Sequence, residues 1–187
     1  GSVVLDEDNT AGLGYGQVFY FISQPGNGAY ITQMIGRWTA PELGLPPVFE
    51  GCVLAPPAGY PRQAGSGFRD SRVFRDKVNS QWILGVTIDY GLAFYTSTDL
   101  TNWSLAWVGD WSQWQQIECP NMFRMAAVDG TYKWVVMMSM KGNASGHAIN
   151  PADQAVGYLI GEWDGKTFTP DPNYQNIRPR IINVGPD

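Results

Sequence analysis

The residues best suited to chemistry in this sequence are carboxylates, and two of them are set apart by their surroundings. Asp70 lies in Gly67-Phe68-Arg69-Asp70-Ser71-Arg72-Val73-Phe74. Glu118 lies in Trp114-Gln115-Gln116-Ile117-Glu118-Cys119-Pro120-Asn121-Met122-Phe123. Each stands among apolar and aromatic neighbours rather than on a charged face. A Glu before Cys-Pro and near Trp and Phe is expected to be partly desolvated. Desolvation favours the neutral carboxyl, which suits a general acid. An Asp beside an Arg stays ionised and accepts hydrogen bonds, which suits holding sugar hydroxyls. Blander readings stand next to these: Arg69-Asp70 as a turn ion pair, Asp76 as an equally visible Asp, and Glu118 as a strand-edge residue facing solvent. His147, the single histidine, sits in the polar loop Gly142-Asn143-Ala144-Ser145-Gly146-His147, where nothing orients it as the base of a Ser/His/Asp site. One His and two Cys exclude the common four-ligand zinc patterns. No Gly-rich phosphate loop is present, and no cofactor is called for.

The elements that must carry these residues read as short strands. Val3-Val4-Leu5 opens the chain as a strand. Val18-Phe19-Tyr20-Phe21-Ile22 ends at a turn cluster, Ser23 to Gly28, and Ala29 to Ile35 follows. Thr39 to Gly67, rich in Pro and Gly, reads as a long loop. Further apolar runs are Ser71 to Phe74, Trp82 to Ile88, Leu92 to Thr96, Met122 to Val128, Tyr132 to Met140, Val156 to Ile160 and Thr167 to Thr169. Asp129-Gly130 and Asp164-Gly165 separate pairs of runs and signal hairpins whose two turn positions want positive φ. An internal echo joins Tyr95-Thr96-Ser97-Thr98-Asp99-Leu100-Thr101-Asn102-Trp103 to Glu162-Trp163-Asp164-Gly165-Lys166-Thr167-Phe168: strand, Asp-containing turn, then an aromatic. One such unit per sheet favours a propeller over a sandwich or barrel, with two unrelated hairpins as the equally weighted plainer reading. No stretch sustains a helical period.

Composition agrees. The 187 residues, enough for one domain, are 44% hydrophobic and only 16% charged, with 22 Gly, 13 Pro, 8 Trp, 9 Tyr and 8 Phe. That mixture suits strands and turns rather than helices. The net charge is -5, and the 12 Lys and Arg form no stripe, which argues against a nucleic-acid partner. No run approaches the ~18 apolar residues of a membrane helix. The start in mid-pattern at Gly1-Ser2 and the stop at Asn183-Val184-Gly185-Pro186-Asp187, without a closing element, suggest an excised piece of a longer protein. Asn102-Trp103-Ser104 and Asn143-Ala144-Ser145 fit the glycosylation acceptor pattern at near-chance frequency. Spacing alone does not say whether Cys52 and Cys119 pair.

Taken together, these blocks carry a resemblance. Phe68-Arg69-Asp70-Ser71-Arg72-Val73-Phe74 is similar to the Arg-Asp-Pro block of glycoside hydrolase family 32, the invertase, inulinase and levanase family. Glu118-Cys119-Pro120 resembles its Glu-Cys-Pro block, at a fitting separation of 48 positions. Tyr95 to Trp103 resembles its Tyr-x-Ser-x-Asp-Leu-x-x-Trp hairpin. Gly1 to Asp6 with Asn9-Thr10-Ala11-Gly12 is similar to its Ser-Gly-Ser-x-Val-x-Asp…Asn-Thr-Ser-Gly stretch. Tyr158 to Phe168 and Asn183 to Asp187 resemble two later blocks. The matches run in order along nearly the whole chain.

The resemblance implies an all-β chain forming about three blades of a five-bladed propeller, with the active site in the central funnel. It implies retaining hydrolysis or transfer of a β-fructofuranosyl unit of sucrose, inulin or levan. Glu118 would be the general acid/base and Asp70 the transition-state stabiliser. Arg69 would orient substrate and Cys119 would shape the wall. The partner would be a fructose-containing oligo- or polysaccharide, outside the cell or at its surface, with self-association through exposed strand edges as a further expectation. Two departures stand out. The family's nucleophile block, Trp-x-Asn-Asp-Pro-Asn-Gly, has no counterpart here, so the isolated chain is expected to be inactive. Asp6 and Asp8 would lie on the outer part of the first blade and Asp187 in a later, non-attacking block. Ser71 replaces the Pro of Arg-Asp-Pro, which should loosen the turn because Pro fixes φ. The alternatives are a fructosyltransferase of the same family and a non-catalytic carbohydrate-binding propeller fragment.

Overall fold

The computed structural model describes the chain except for residues 26–32, 57–67, 89–90, 111–115, 142–153, 174–178 and 185–187. Its thirteen strands form three antiparallel sheets. The first holds β1 (Ser2–Asp6), β2 (Gln17–Pro25), β3 (Gln33–Ala40) and β4 (Val48–Leu54) in chain order. The second holds β5 (Arg69–Asp76), β6 (Gln81–Ile88), β7 (Gly91–Ser97) and β8 (Ser104–Asp110). The third holds β9 (Gln116–Ala126), β10 (Tyr132–Lys141), β11 (Gln154–Trp163) and β12 (Phe168–Pro170), and β13 (Arg180–Val184) adds to β11 beyond β12. Three consecutive four-stranded meanders are the three blades that the sequence leads one to expect. His147 and Asp187 lie outside the described residues.

The second sheet is covered on both faces, and its sequence shows why. Along β6 the side chains alternate. Trp82, Leu84 and Val86 join Phe19, Phe21, Val73 and Tyr95 in the core shared with the first sheet. Ile83 joins Leu92, Phe94, Ile117, Met122 and Val136 in the core shared with the third. A strand buried on both sides reads as a near-continuous apolar run, and Trp82 to Ile88, interrupted by Thr87 alone, is one. Phe94 stacks on Trp107 at 5.7 Å, and Trp107 meets Phe168 edge-on at 5.6 Å, extending the second core outward.

Polar latches join the sheets where these cores end. Asp6, fully buried at the end of β1, accepts bonds from the Thr10 N–H and hydroxyl and from the Ala11 N–H, and the indole of Trp82 donates to Thr10 Oγ1 at 2.8 Å. Asp6 thus closes the end of β1, an edge strand of the first sheet that packs against β5. One step on, the indole of Trp163 donates to the buried Asp76 at 3.0 Å.

The repeated Asp turn is present in both expected places. Asp99 Oδ1 accepts the N–H groups of Thr101 and Asn102, and Asp164 Oδ1 accepts those of Lys166 and Thr167. In each the next residue is left-handed, Leu100 at φ 59° and Gly165 at φ 98°. At Asp129-Gly130 only Gly130 takes positive φ, because the loop closes through a longer Ala127–Thr131 pairing rather than a two-residue turn.

Two sequence expectations need correction, and one point that spacing left open is answered. The stretch 39–67 is not all loop, since Val48–Leu54 is β4. It is an edge strand with mostly exposed side chains, a Gly51 at φ 137° and bulges in its pairing with β3, so no alternation marked it. The C-terminal region does carry an ordered strand, β13. Cys52 and Cys119 are not joined by a disulfide.

Candidate active site

Asp70 and Glu118 sit near the starts of β5 and β9, the first strands of adjacent sheets, which lie side by side. Both strands are interrupted there in the same way. Arg69 pairs with Thr87 and Arg72 with Gly85, so Asp70 and Ser71 together face one residue, Val86. Glu118 pairs with Ser139 and Asn121 with Met137, so Cys119 and Pro120 together face Met138. Each is a β-bulge, a device that bends a strand and re-aims a side chain. Each contains a non-glycine residue in the left-handed region, Asp70 at φ 58° and Cys119 at φ 53°. Such conformations cost of order 1–3 kcal/mol and persist only where their surroundings hold them.

Those surroundings can be named. The hydroxyl of Ser71, buried, donates to the Phe21 carbonyl of the first sheet at 3.0 Å. The turn behind Asp70 is thus tied by a hydrogen bond that a proline could not make, rather than loosened. Pro120 is buried against the second sheet, where Gly85 leaves the room. A Cβ on Gly85 would stand 3.3 Å from Pro120 Cβ and 2.8 Å from the Phe94 ring.

Within this frame the second and third sheets bring the four sequence-predicted residues together. The Arg69 guanidinium pairs with Glu118 through Nη2 and approaches Asp70 Oδ2 through Nε at 3.9 Å. The Cys119 N–H donates to Asp70 Oδ2 at 3.2 Å, and the Thr87 hydroxyl donates to the same oxygen at 3.3 Å. The carboxylate side chains are 29% exposed at Asp70 and 35% at Glu118, reachable by a solute. The partner of Glu118 is a guanidinium, not the apolar wall its sequence neighbours suggested. Trp114 lies outside the described residues. Burial pushes the Cys119 thiol up from its ordinary value, the negative charges of Asp70 and Glu118 add to that, and a hydrogen bond with Ser139 opposes it. What Cys119 contributes to the cluster is its backbone N–H.

The arrangement can do two things chemically. Two carboxylates bridged by one guanidinium offer several acceptors and donors to a polyol within a small area, and one of the two can exchange a proton with a leaving oxygen. Sequence reasoning missed three supporting residues: Thr87, Ser139 and Gly85. The one available signal was a lone hydroxyl in the otherwise apolar run Trp82 to Ile88. Among the described residues, no group of three or more His, Cys, Asp or Glu is placed to hold a metal ion.

Known proteins share this sequence pattern and this fold. A family model described as the glycosyl hydrolases family 32 N-terminal domain matches residues 1–180. The levanbiose-producing levanase of Geobacillus stearothermophilus is 30% identical over 172 residues, covering 91% of this chain and 41% of that protein. The invertase of Schizosaccharomyces pombe is 35% identical over 130 residues, covering 64% of this chain and 20% of that protein. Among solved structures, the exo-inulinase from Aspergillus awamori superposes with a TM-score of 0.75 at 26% identity, over 92% of this chain and 37% of that one. The chain thus spans less than half the length of the proteins it matches.

Proposed function

The chain belongs to glycosyl hydrolase family 32, and on that premise we propose that it supplies one wall of the active site of a retaining β-fructofuranosidase, built on a five-bladed propeller. The substrates are sucrose, inulin or levan. Relatives named levanase, invertase and exo-inulinase support this substrate class, and one described as extracellular supports action outside the cell. The observation that carries the reading is the bridge across two sheets: Arg69 touching both Glu118 and Asp70.

In this reading Glu118 is the general acid/base. It protonates the oxygen of the departing sugar and then deprotonates the incoming water, as retention requires. Asp70 lies beneath the fructosyl ring, holds its hydroxyls and opposes the positive charge that builds as the bond breaks. Arg69 fixes the separation of the two carboxylates. A retaining reaction also needs a nucleophile about 5–5.5 Å from the acid/base. Asp6 and Asp76 are fully buried and held by hydrogen bonds at the far ends of β1 and β5, which leaves them unsuited to attack. The attacking carboxylate is proposed to come from outside these 187 residues, so this chain by itself releases no fructose.

The test is Glu118→Gln in a protein carrying the whole catalytic domain. Turnover of sucrose should fall roughly 10²–10⁴-fold, the usual contribution of general acid catalysis. An aryl fructoside whose leaving group needs no proton should lose less in its first step. Near-wild-type hydrolysis of sucrose by the variant would remove Glu118 from the mechanism and favour a role for this surface in binding sugar alone.

A further inference from the structure

We propose that Thr87 is a positioning residue that fixes which oxygen of Asp70 meets the substrate. The inference rests on the reading of Asp70 as the stabilising carboxylate. Among the described residues, the hydrogen bonds and ion pair of that carboxylate fall on one oxygen, Oδ2: the Cys119 N–H at 3.2 Å, the Thr87 hydroxyl at 3.3 Å and Arg69 Nε at 3.9 Å. Among the described residues none bonds Oδ1. Asp70 also sits on a bulge at φ 58°, so strand geometry does not set its side chain direction. Rotation about the last side-chain bond of an Asp is soft and close to two-fold, and the two oxygens would exchange readily without an anchor.

Thr87 is the anchor on the second sheet itself. It is 1% exposed, lies directly across from Arg69 in the β5–β6 pairing, and stands between Val86 and Ile88. Valine would suit that environment better by strand propensity and by desolvation. A buried hydroxyl at this position is explained by its acceptor, Asp70. The third sheet repeats the arrangement. Ser139, directly across from Glu118, shares a side-chain hydrogen bond with Cys119, the residue whose N–H is the other anchor of Oδ2. The two hydroxyls hold the two bulges, and Oδ1 is left as the atom directed to the fructosyl hydroxyls.

The experiment is a mutant cycle in a protein carrying the whole catalytic domain, read by kcat, KM and melting temperature on sucrose. Thr87→Val keeps the shape and removes the bond. It should lower kcat about ten-fold, the cost of one hydrogen bond to a charged group, with a smaller change in KM and an unchanged melting temperature. Thr87→Ser keeps the hydroxyl and loses the methyl: it should melt earlier yet turn over within about two-fold of wild type, a pattern that a purely structural role for Thr87 would reverse. With Asp70→Asn already present, Thr87→Val should cost nothing more, because residues acting through one group are not additive. An equal loss in both backgrounds, or full kcat in Thr87→Val beside a crippled Asp70→Asn, would overturn the inference and leave the reading of Asp70 intact. Wild-type kcat in Asp70→Asn would overturn both.

Discussion

Strand β5 carries an aspartate near each end, and the two have opposite relations to the protein around them. At its far end Asp76 is fully buried and its carboxylate is saturated. Oδ1 takes the N–H groups of Val78 and Asn79, and Oδ2 takes the side chains of Asn79, Gln81 and Trp163. At its start Asp70 is 29% exposed, with bonds to one oxygen only. A buried carboxylate with every lone pair occupied has nothing left to offer a ligand, and removing it leaves several donors orphaned. A carboxylate held by one oxygen on a bulged backbone has been left incomplete by its fold, with an acceptor still to offer a ligand. Saturation, more than burial or charge, separates the aspartate that holds the sheets from the one left open on its bulge.

The largest effect that would sharpen this contrast is on turnover. Asp70→Asn in the whole catalytic domain should lower kcat roughly 10²–10³-fold, the scale seen when one preorganised electrostatic partner of a transition state is lost. Its stability should stay within about 1 kcal/mol of wild type, as for a surface substitution. Asp76→Ala should do the reverse. Orphaning buried donors at the junction of the second and third sheets should cost about 3–5 kcal/mol, seen as a lower denaturant midpoint. Turnover of the fraction still folded should be preserved. If Asp76→Ala abolished turnover at full stability, the division of roles along β5 would fail.

The sequence distinguishes these two aspartates poorly, and the reason is physical. Asn79 and Gln81 lie three and five positions from Asp76 and hint at a local turn, but Trp163 is 87 positions away. Its indole reaches Asp76 only because the third sheet stacks on the second. What was legible was local: the Asp turns at Asp99 and Asp164, the doubly buried run of β6, and the motif blocks around Asp70 and Glu118. The edge strand β4 was not, because a strand exposed on most positions and broken by Gly51 shows no period. Nor were the two bulges, since a left-handed Asp or Cys carries no compositional mark. They show only in the register against β6 and β10.

A smaller effect links the core to the open end. Gly85 faces Phe94 and Pro120 with no room for a Cβ. Gly85→Ala should destabilise by about 1–3 kcal/mol through overpacking, while raising KM by displacing Pro120 and with it Cys119. A rise in KM without loss of stability, or the converse, would show that the bulge and the core are less coupled than their contact indicates.

The smallest effect tests saturation without burial. Asp99, in the outer turn of the second sheet, is partly exposed, yet its carboxylate accepts bonds from the Asn102 N–H and side chain, the Thr101 N–H and the Ser97 hydroxyl. Burial acts to raise its pKa, and those hydrogen bonds outweigh it, lowering the value from 3.8 to about 2. The folded value is depressed, so the turn stabilises the fold at pH above about 4, and this contribution is lost as the pH falls toward 2. Asp99→Asn should remove that portion of the acid sensitivity. The decline in denaturant midpoint between pH 4 and pH 2 should be shallower in the variant than in wild type, while at pH 7 the variant is slightly the less stable. The effect should be far below that of Asp76→Ala, because water replaces the lost bonds of an exposed turn and cannot replace those of a buried junction. Equal losses in the two variants at pH 7 would mean that burial adds nothing to saturation at Asp76. Identical acid slopes for wild type and Asp99→Asn would mean that the turn's hydrogen bonds do not hold the Asp99 carboxylate in its charged form.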